Sequence, residues 1–350
     1  MLQPAAADRI VDANLNRLAE GLRVIEDLCR FGLGETERAR QLKGLRQESE
    51  RLRRAYPANI LAARDSAGDV GRERVAEPSR RSNPTEVLGA AFGRVKEALR
   101  SLEEMGKLHR PEAAQRAKAL RYEVYDAEKV LVPKFDRARR MERLQGLYLI
   151  LSDPPGGYEE LARMAVEANV AAIQLRVKDQ DSGPLLELAR RLRRITADTA
   201  TLFIVNDRPD IARLAEADGL HLGQTDLPVE EARRVTGPWT VIGKSTHNLR
   251  QMRAAQKERP DYVAVGPVFE TGSKERTDRV LGLERAGRIR SEARVPVVAI
   301  GGITAEHVSG VMEAGYDSFA VIDAVSGASD PQAAIRKLKR LGQRGVVRGG

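Results

Sequence analysis

At 350 residues the chain exceeds one average domain of ~150 residues, so two domains are expected. A net charge of +9 would suit a nucleic acid, a membrane surface or anionic small substrates, but an aromatic fraction of 4% leaves few rings for stacking bases. The single cysteine, Cys29, excludes an intrachain disulfide and cysteine-rich metal sites. No signal-like core and no run of ~18 apolar residues is present, so a cytoplasmic protein with neither nucleic-acid nor membrane partners is expected.

Residues 1–135 read as a helical bundle domain. From Ala7 to Phe31, Ile10, Leu15, Leu18, Leu22, Ile25 and Leu28 gather on one helix face with charges between them. The stretch Arg17 to Asp27 recurs as Arg94 to Glu104, and Lys43 to Glu48 recurs as Lys118 to Glu123, at offsets of 77 and 75 residues. A duplicated helix pair follows, and two such hairpins predict a four-helix bundle. The Arg and Glu positions share helix faces, which predicts either a salt-bridged surface or a polar groove. That groove would be lined by Asn14, Asn16, Arg17, Arg23 and Glu26 beside the loop Ala63 to Gly71, whose Arg64, Asp65, Ser66, Gly68 and Asp69 suit a phosphate or a metal without forming a Walker motif. Residues 136–145 are basic and form a linker or the last turns of a helix, and residues 343–350 are expected to be a flexible tail.

In residues 146–342, eight apolar runs alternate with segments of helical composition: Leu147 to Ser152, Ala171 to Leu175, Leu202 to Val205, Gly219 to Leu222, Val241 to Gly243, Tyr262 to Val265, Val297 to Ile300 and Phe319 to Ile322. This alternation predicts an α/β fold, a (β/α)8 TIM barrel, over an open doubly wound sheet, because no GxGxxG follows the first strand. Reactive groups then belong at the carboxyl ends of the strands. Strand periodicity turns Gln174, Arg176 and Lys178 to one side, where three donors call for an anion. Asn206-Asp207 and Asp226 follow the third and fourth strands. These carboxylates either pair with the cations or hold Mg2+, which keeps waters and shares phosphate oxygens. Ser245-Thr246-His247 ends the fifth strand, with His247 either a hydrogen-bonding wall or a base. Thr271-Gly272-Ser273-Lys274 offers hydroxyls, N–H groups and a cation to a phosphate, and Gly302 and Ile322-Asp323 stand where such barrels bind phosphate.

The segments QLRVK (174–178), VND (205–207), DGLHLGQTD (218–226), GKSTH (243–247), DYVAVGPVFETGSK (261–274), GLE (282–284) and VPVVAIGGI (295–303) together resemble the thiamine-phosphate synthase family. The resemblance runs over about residues 145–335. It implies that Gln174, Arg176, Lys178, Asn206, Ser245 and Lys274 hold an aminopyrimidine diphosphate, with Leu175 and Val177 in the same substrate-binding stretch. Arg176, Lys178 and Lys274 would be the catalytic cations, and Asp207 and Asp226 the Mg2+ ligands. Thr271, Gly272, Ser273, Gly302, Ile322 and Asp323 would surround a thiazole phosphate. Two departures stand out: ETGSK lacks the proline more often found before the threonine, and Asp323 replaces a frequent serine, so this carboxylate must either turn away from the phosphate or leave the contact to backbone N–H groups. The first 130 residues resemble the helical extension of some synthases, which implies a kinase acting on the pyrimidine phosphate. A homo-oligomer is compatible with this reading. The alternatives are a thiazole tautomerase and a non-catalytic regulatory barrel.

Overall fold

The structure is a computed structural model that describes residues 4–64, 81, 83–178, 180–271 and 279–346. The chain divides into two compact units, Met1–Asp136 and Arg137–Gly350.

The first unit is helical, with α1 (Pro4–Asp27), α2 (Thr36–Arg54), α3 (Pro84–His109) and the start of α4 (Pro111–Glu142). Residues from all four helices share one core. On α1 the buried positions are Val11, Leu15, Leu18, Leu22 and Ile25, with Cys29 just beyond. Their spacing alternates four and three, which keeps one stripe inward. Ile10, expected on that stripe, is 36% exposed, because Val11 takes the inward place. The helix expected through Phe31 changes character at Leu28, where a π-helical turn, Leu28–Gly32, replaces the α-helix.

Duplication is visible in the contacts. Glu26 of α1 pairs with Arg46 of α2, and their counterparts Glu103 of α3 and Arg121 of α4 pair at 2.8 Å. Burial would raise the Glu103 carboxyl, but the hydrogen bond from Arg121, aided by Arg100 and Lys107, outweighs it and holds the group below the usual carboxylate range. Helices α1 and α3 approach so closely that a Cβ on Gly21 would lie 2.5 Å from a Val95 methyl.

The second unit is a closed barrel of eight parallel strands in sequential order. Its chain order is β1 (Gly146–Leu151), α5 (Tyr158–Glu167), β2 (Ala172–Leu175), α6 (Ser182–Thr196), β3 (Leu202–Asn206), α7 (Pro209–Leu214), β4 (Gly219–Leu222), α8 (Val229–Thr236), β5 (Val241–Thr246) and α9 (Leu249–Glu258). There follow β6 (Tyr262–Val265), α10 (Gly282–Ser291), β7 (Val297–Ile300), α11 (Val308–Glu313), β8 (Ser318–Val321), α12 (Asp323–Ser326) and α13 (Pro331–Val346). Helix α13 thus takes in residues 343–346, which the sequence reading gave to a tail.

Strand periodicity sorts the side chains into two layers. Odd-side residues such as Leu149, Leu175, Phe203 and Val263 pack against the surrounding helices, whereas Tyr148, Ile150, Ala172, Ile204, Tyr262 and Ala264 fill the barrel interior. Gly243 makes room for the Tyr262 ring, since a Cβ there would sit 2.1 Å from Tyr262 Cζ. At the amino end, Asp218, Asp261 and Asp317 precede β4, β6 and β8 and accept from Phe203 N (3.0 Å), Ile242 N (2.9 Å) and Val297 N (2.8 Å) on the strand before. Each locks the register of a neighbouring pair. The basic stretch 137–142 forms the last turns of α4, with Arg137 on Asp261 (2.9 Å) and Arg140 on Asp218 (3.2 Å). Met141 and Leu144 join the interior core at that end. No described helix is long and apolar enough to cross a membrane.

Candidate active site

With its amino end closed, the barrel opens at the carboxyl ends of the strands, where a cavity of about 180 Å³ is found. Apolar residues from β1, β6, β7 and β8 make one wall, and Gln174, Arg176, Asn206, Asp207, Asp226 and Ser245 make the other. Polarity is divided because β2 to β5 end in polar residues on the inward parity.

Asp207 and Asp226 face each other at the rim. Asp207 has φ +59°, a left-handed conformation that carries its side chain out of the strand direction, and its N–H donates to His221 O at 2.9 Å. Asp226 accepts from Gly223 N at 2.6 Å, which ties the β4 loop back on itself. Partial burial of the Asp207 carboxyl, then the hydrogen bond and charge of Asp226, push Asp207 up to about 7, against the pull of Arg176. The residue as a whole is exposed.

Below the rim a chain of buried hydrogen bonds crosses the barrel from β2 to β5. Gln174 Nε2 donates to Tyr148 Oη at 2.8 Å, and Tyr148 Oη lies 3.0 Å from Tyr262 Oη. His221 Nδ1 lies 2.9 Å from Tyr262 Oη, and its Nε2 lies 2.9 Å from Ser245 Oγ. Burial pushes both phenols well above their ordinary range, so each keeps its proton. The assignment that uses every proton runs one way: Gln174 to Tyr148, Tyr148 to Tyr262, Tyr262 to His221 Nδ1, and His221 Nε2–H to Ser245. Gln174 is then left with its amide oxygen as acceptor, and Ser245 with its hydroxyl proton as donor.

The expected site residues divide into three groups. Gln174, Arg176, Asn206, Asp207, Asp226, Ser245 and Ile322 line the cavity together. Leu175 belongs to the outer layer against the helices and Val177 packs on that layer, so only their backbone can face a substrate. The period of two had already put them opposite Gln174 and Arg176. Lys178 is exposed and outside the cavity lining. Ladder pairing ends with Arg176 N donating to Leu151 O at 3.0 Å, and strand parity does not extend past it. Gly272, Ser273 and Lys274 lie outside the described residues, as do Asp65, Ser66, Gly68, Asp69 and Gly71 of the helical unit's loop.

Around β7 and β8 the structure gives Gly302 a different reason. Its φ is +63°, and a Cβ would stand 2.1 Å from Glu270 O, so the glycine lets the β7 loop pack against the β6 loop. Phe269 N donates to Gly301 O at 3.0 Å, and the Phe269 ring stacks on His307 with centroids 3.8 Å apart. Thr271 continues this anchored segment and is half-buried. Asp323 is exposed, starts α12 and is not among the residues that line the cavity. His247 Nδ1 hydrogen-bonds Gly266 O at 2.5 Å, and the ring does not line the cavity.

Residues 147–325 match the family model described as thiamine monophosphate synthase, and residues 9–130 match the ThiD2 family. A thiamine-phosphate synthase of Thermosynechococcus vestitus is 42% identical over 340 residues, spanning 96% of this chain and 95% of that protein. The chain belongs to the thiamine-phosphate synthase family. A Nostoc thiamine-phosphate synthase is 40% identical over 339 residues, 95% of this chain and 94% of its own. The solved thiamine phosphate pyrophosphorylase of Pyrococcus furiosus aligns with 59% of this chain and 98% of its own, at 36% identity and a TM-score of 0.54.

Within this family reading, Tyr148, His221 and Tyr262 are the residues that sequence reasoning missed. Two signals could have found them. His221 sits in the middle of an apolar strand, and Tyr148 and Tyr262 share the inward parity of Ile150 and Ala264. In the helical unit, the described groove residues take separate partners, and most of the loop expected beside them lies outside the described residues. Asn16 accepts from Arg53 at 2.6 Å and Arg64 binds Asp12 at 2.8 Å, while Glu26 pairs with Arg46 further along α1, and Arg17 and Arg23 are exposed.

Proposed function

We propose that the barrel joins an aminopyrimidine methyl diphosphate to a thiazole phosphate, giving thiamine phosphate and releasing diphosphate. The observation that carries this reading is the placement of Asp207 and Asp226 beside Arg176 at the mouth of an otherwise uncharged cavity. The reaction breaks the bond between the methylene carbon and the diphosphate oxygen, and forms a bond from that carbon to the thiazole ring nitrogen. The bonding electrons leave with the diphosphate, and the ring nitrogen supplies the new pair. No side-chain nucleophile is required.

The aminopyrimidine spreads the positive charge that develops on the methylene, so the enzyme's work is to fix the departing negative charge. Arg176 does so from the rim at a preorganised position, and the resemblance gives Lys178 and Lys274 the same duty. Gln174 and Ser245 offer an acceptor and a donor to the edge of the aminopyrimidine, and the relay beneath keeps each in that role. Ile150, Ala264, Val298, Ile300 and Ala320 supply a dry wall for the ring faces, which shields the cationic carbon from water. Asp207 and Asp226 would hold Mg2+, since two facing carboxyls suit a hard cation that keeps waters and phosphate oxygens as its other ligands. When bound, the cation neutralises the leaving diphosphate. Thr271, Gly302, Ile322 and backbone N–H groups near Asp323 are read as the thiazole-phosphate side.

The test is to incubate the purified chain with both substrates and Mg2+. Thiamine phosphate and diphosphate in equal amounts are expected. Consumption of the thiazole without diphosphate release would favour a tautomerase, and no turnover would favour a regulatory barrel. For the helical unit we carry over phosphorylation of the pyrimidine monophosphate, supported by the match at residues 9–130. The full chain should then start from the monophosphate and ATP, and failure to do so while the synthase works would remove the kinase.

A further inference from the structure

The two helical hairpins of the first unit are copies that differ at one elbow. Their offset is 77 residues at Glu26 and Glu103 but 75 at Lys43 and Lys118, so the first hairpin carries two extra residues between these points. The second elbow is closed. Arg110 N donates to Gly106 O at 2.7 Å, α4 begins at Pro111, and a Cβ on Gly106 would lie 2.9 Å from Ala114 N.

In the first hairpin the extra residues are absorbed by the π-helical turn Leu28–Gly32 and by Gly34 at φ +64°. Insertions of this kind turn an α-helix into a π-bulge, a feature frequent at functional sites. Ala39, the counterpart of Ala114, here faces a cavity of about 330 Å³ instead of a packed helix.

The charges lining this cavity are unbalanced. Its two carboxylates are committed elsewhere, Glu26 to Arg46 and Glu35 to Lys134. Arg30, Arg40 and Lys43 line the same space, and none has a carboxylate partner among the described residues. Arg30 lies over the Phe31 ring at 4.9 Å. The counterparts of Arg30 and Arg40 are Lys107, which pairs with Glu104 at 2.8 Å, and the neutral Gln115. The cavity also meets the amino end of α2, a helix of 19 residues whose first N–H groups receive no side-chain cap from Glu35. Three cations and helix N–H donors without a side-chain cap around one concavity suit an anion.

We propose that the α1–α2 elbow binds the phosphate or diphosphate group of a small phosphorylated molecule, held by Arg30, Arg40 and Lys43. This assignment rests on the geometry of the elbow and holds whether or not the helical unit transfers phosphoryl groups.

Inorganic diphosphate is the probe, titrated calorimetrically into the full chain and into Arg40→Ala/Lys43→Ala, with hydrogen exchange followed at Thr36 to Arg40. The parent chain should bind at two sites, elbow and barrel. The variant should keep one site and an unchanged rate of thiamine phosphate formation, and exchange at Thr36 to Arg40 should slow only in the parent. One site in the parent and none in the variant would still place the probe at the elbow, and would count against the barrel reading alone. Equal numbers of sites in both chains, or no slowing of exchange in the parent, would overturn the proposal.

Discussion

Eight βα units make the barrel and two helical hairpins make the first unit, yet the copies carry their polar groups differently. In the barrel the polar groups stand at strand ends, on the inward parity of β2 to β5, and buried polar atoms below them are joined in one chain of hydrogen bonds. In the helical unit the same Glu–Arg ion pair occurs in both hairpins, which marks it as structure, and the copies differ in length where two residues are inserted. Polar groups that repeat hold a fold together, and polar groups that break the repeat are where ligands are to be sought.

The largest effect expected from this contrast is at the rim. Asp207→Ala or Asp226→Ala should lower turnover by about 100-fold to 1,000-fold, the loss typical of removing one preorganised electrostatic group. Both side chains lie outside the two apolar cores, so the melting temperature without Mg2+ should hold. Steady-state rates at saturating Mg2+ together with thermal melts check this, and near-normal turnover in either variant would remove the carboxylates from the chemistry.

The repeated ion pair should behave in the opposite way. Glu103 is 5% exposed and Arg121 11% at the side chain, so Glu103→Gln leaves a buried cation unpaired and should cost about 3 kcal/mol of stability. Glu26 and Arg46 are 14% and 34% exposed, and Glu26→Gln should cost about 1 kcal/mol or less. Denaturant melts of the two variants measure the difference, and equal losses would mean that burial does not distinguish the two copies. Synthase rates should be unchanged in both.

Tyr262→Phe should reduce kcat about 10-fold, since it removes one link of a buried relay worth about 1–3 kcal/mol when a partner is left unsatisfied. Because Ser245 is then no longer held as a donor, the pyrimidine substrate's KM should rise while that of the thiazole phosphate stays put. A rise in the thiazole KM instead would place the relay under the wrong substrate.

A smaller effect concerns pH. Asp207 is raised from 3.8 to about 7, so in the metal-free chain it keeps its proton where the unfolded chain has lost it. Stability from this site is therefore lost as pH rises from about 4 through 7, and the loss is modest because the residue is open to solvent. Mg2+ should stabilise the chain more at about pH 8 than at about pH 5, and Asp207→Asn should flatten the difference. A metal-induced rise in Tm that is the same at both pH values would show that Asp207 does not give up a proton to the cation.

The barrel and its rim were legible because apolar runs mark strands and polar residues at their ends stand out against them. Asp207, Asp226, Arg176 and Gln174 could be read on that basis. The relay could not, because Tyr148, His221, Tyr262 and Ser245 come from β1, β4, β6 and β5, and only barrel closure brings them together. Strand parity stops at the last ladder bond, so it does not place Lys178, and it puts the Leu175 side chain on the helix-facing layer. At Gly302 the structure adds a packing reason that the sequence does not show, since the missing Cβ admits the Glu270 backbone. In the helical unit, the π-helical turn was hidden in the difference between offsets of 77 and 75.

The most direct test of the central claim, that Asp207 and Asp226 jointly hold the cation that meets the leaving diphosphate, is paramagnetic resonance with Mn2+ in place of Mg2+. In the presence of inorganic diphosphate, the parent chain should bind Mn2+ with phosphorus hyperfine coupling at the barrel, and Asp207→Ala/Asp226→Ala should lose both the bound signal and the coupling. Unchanged Mn2+ binding and coupling in the double variant would contradict the account.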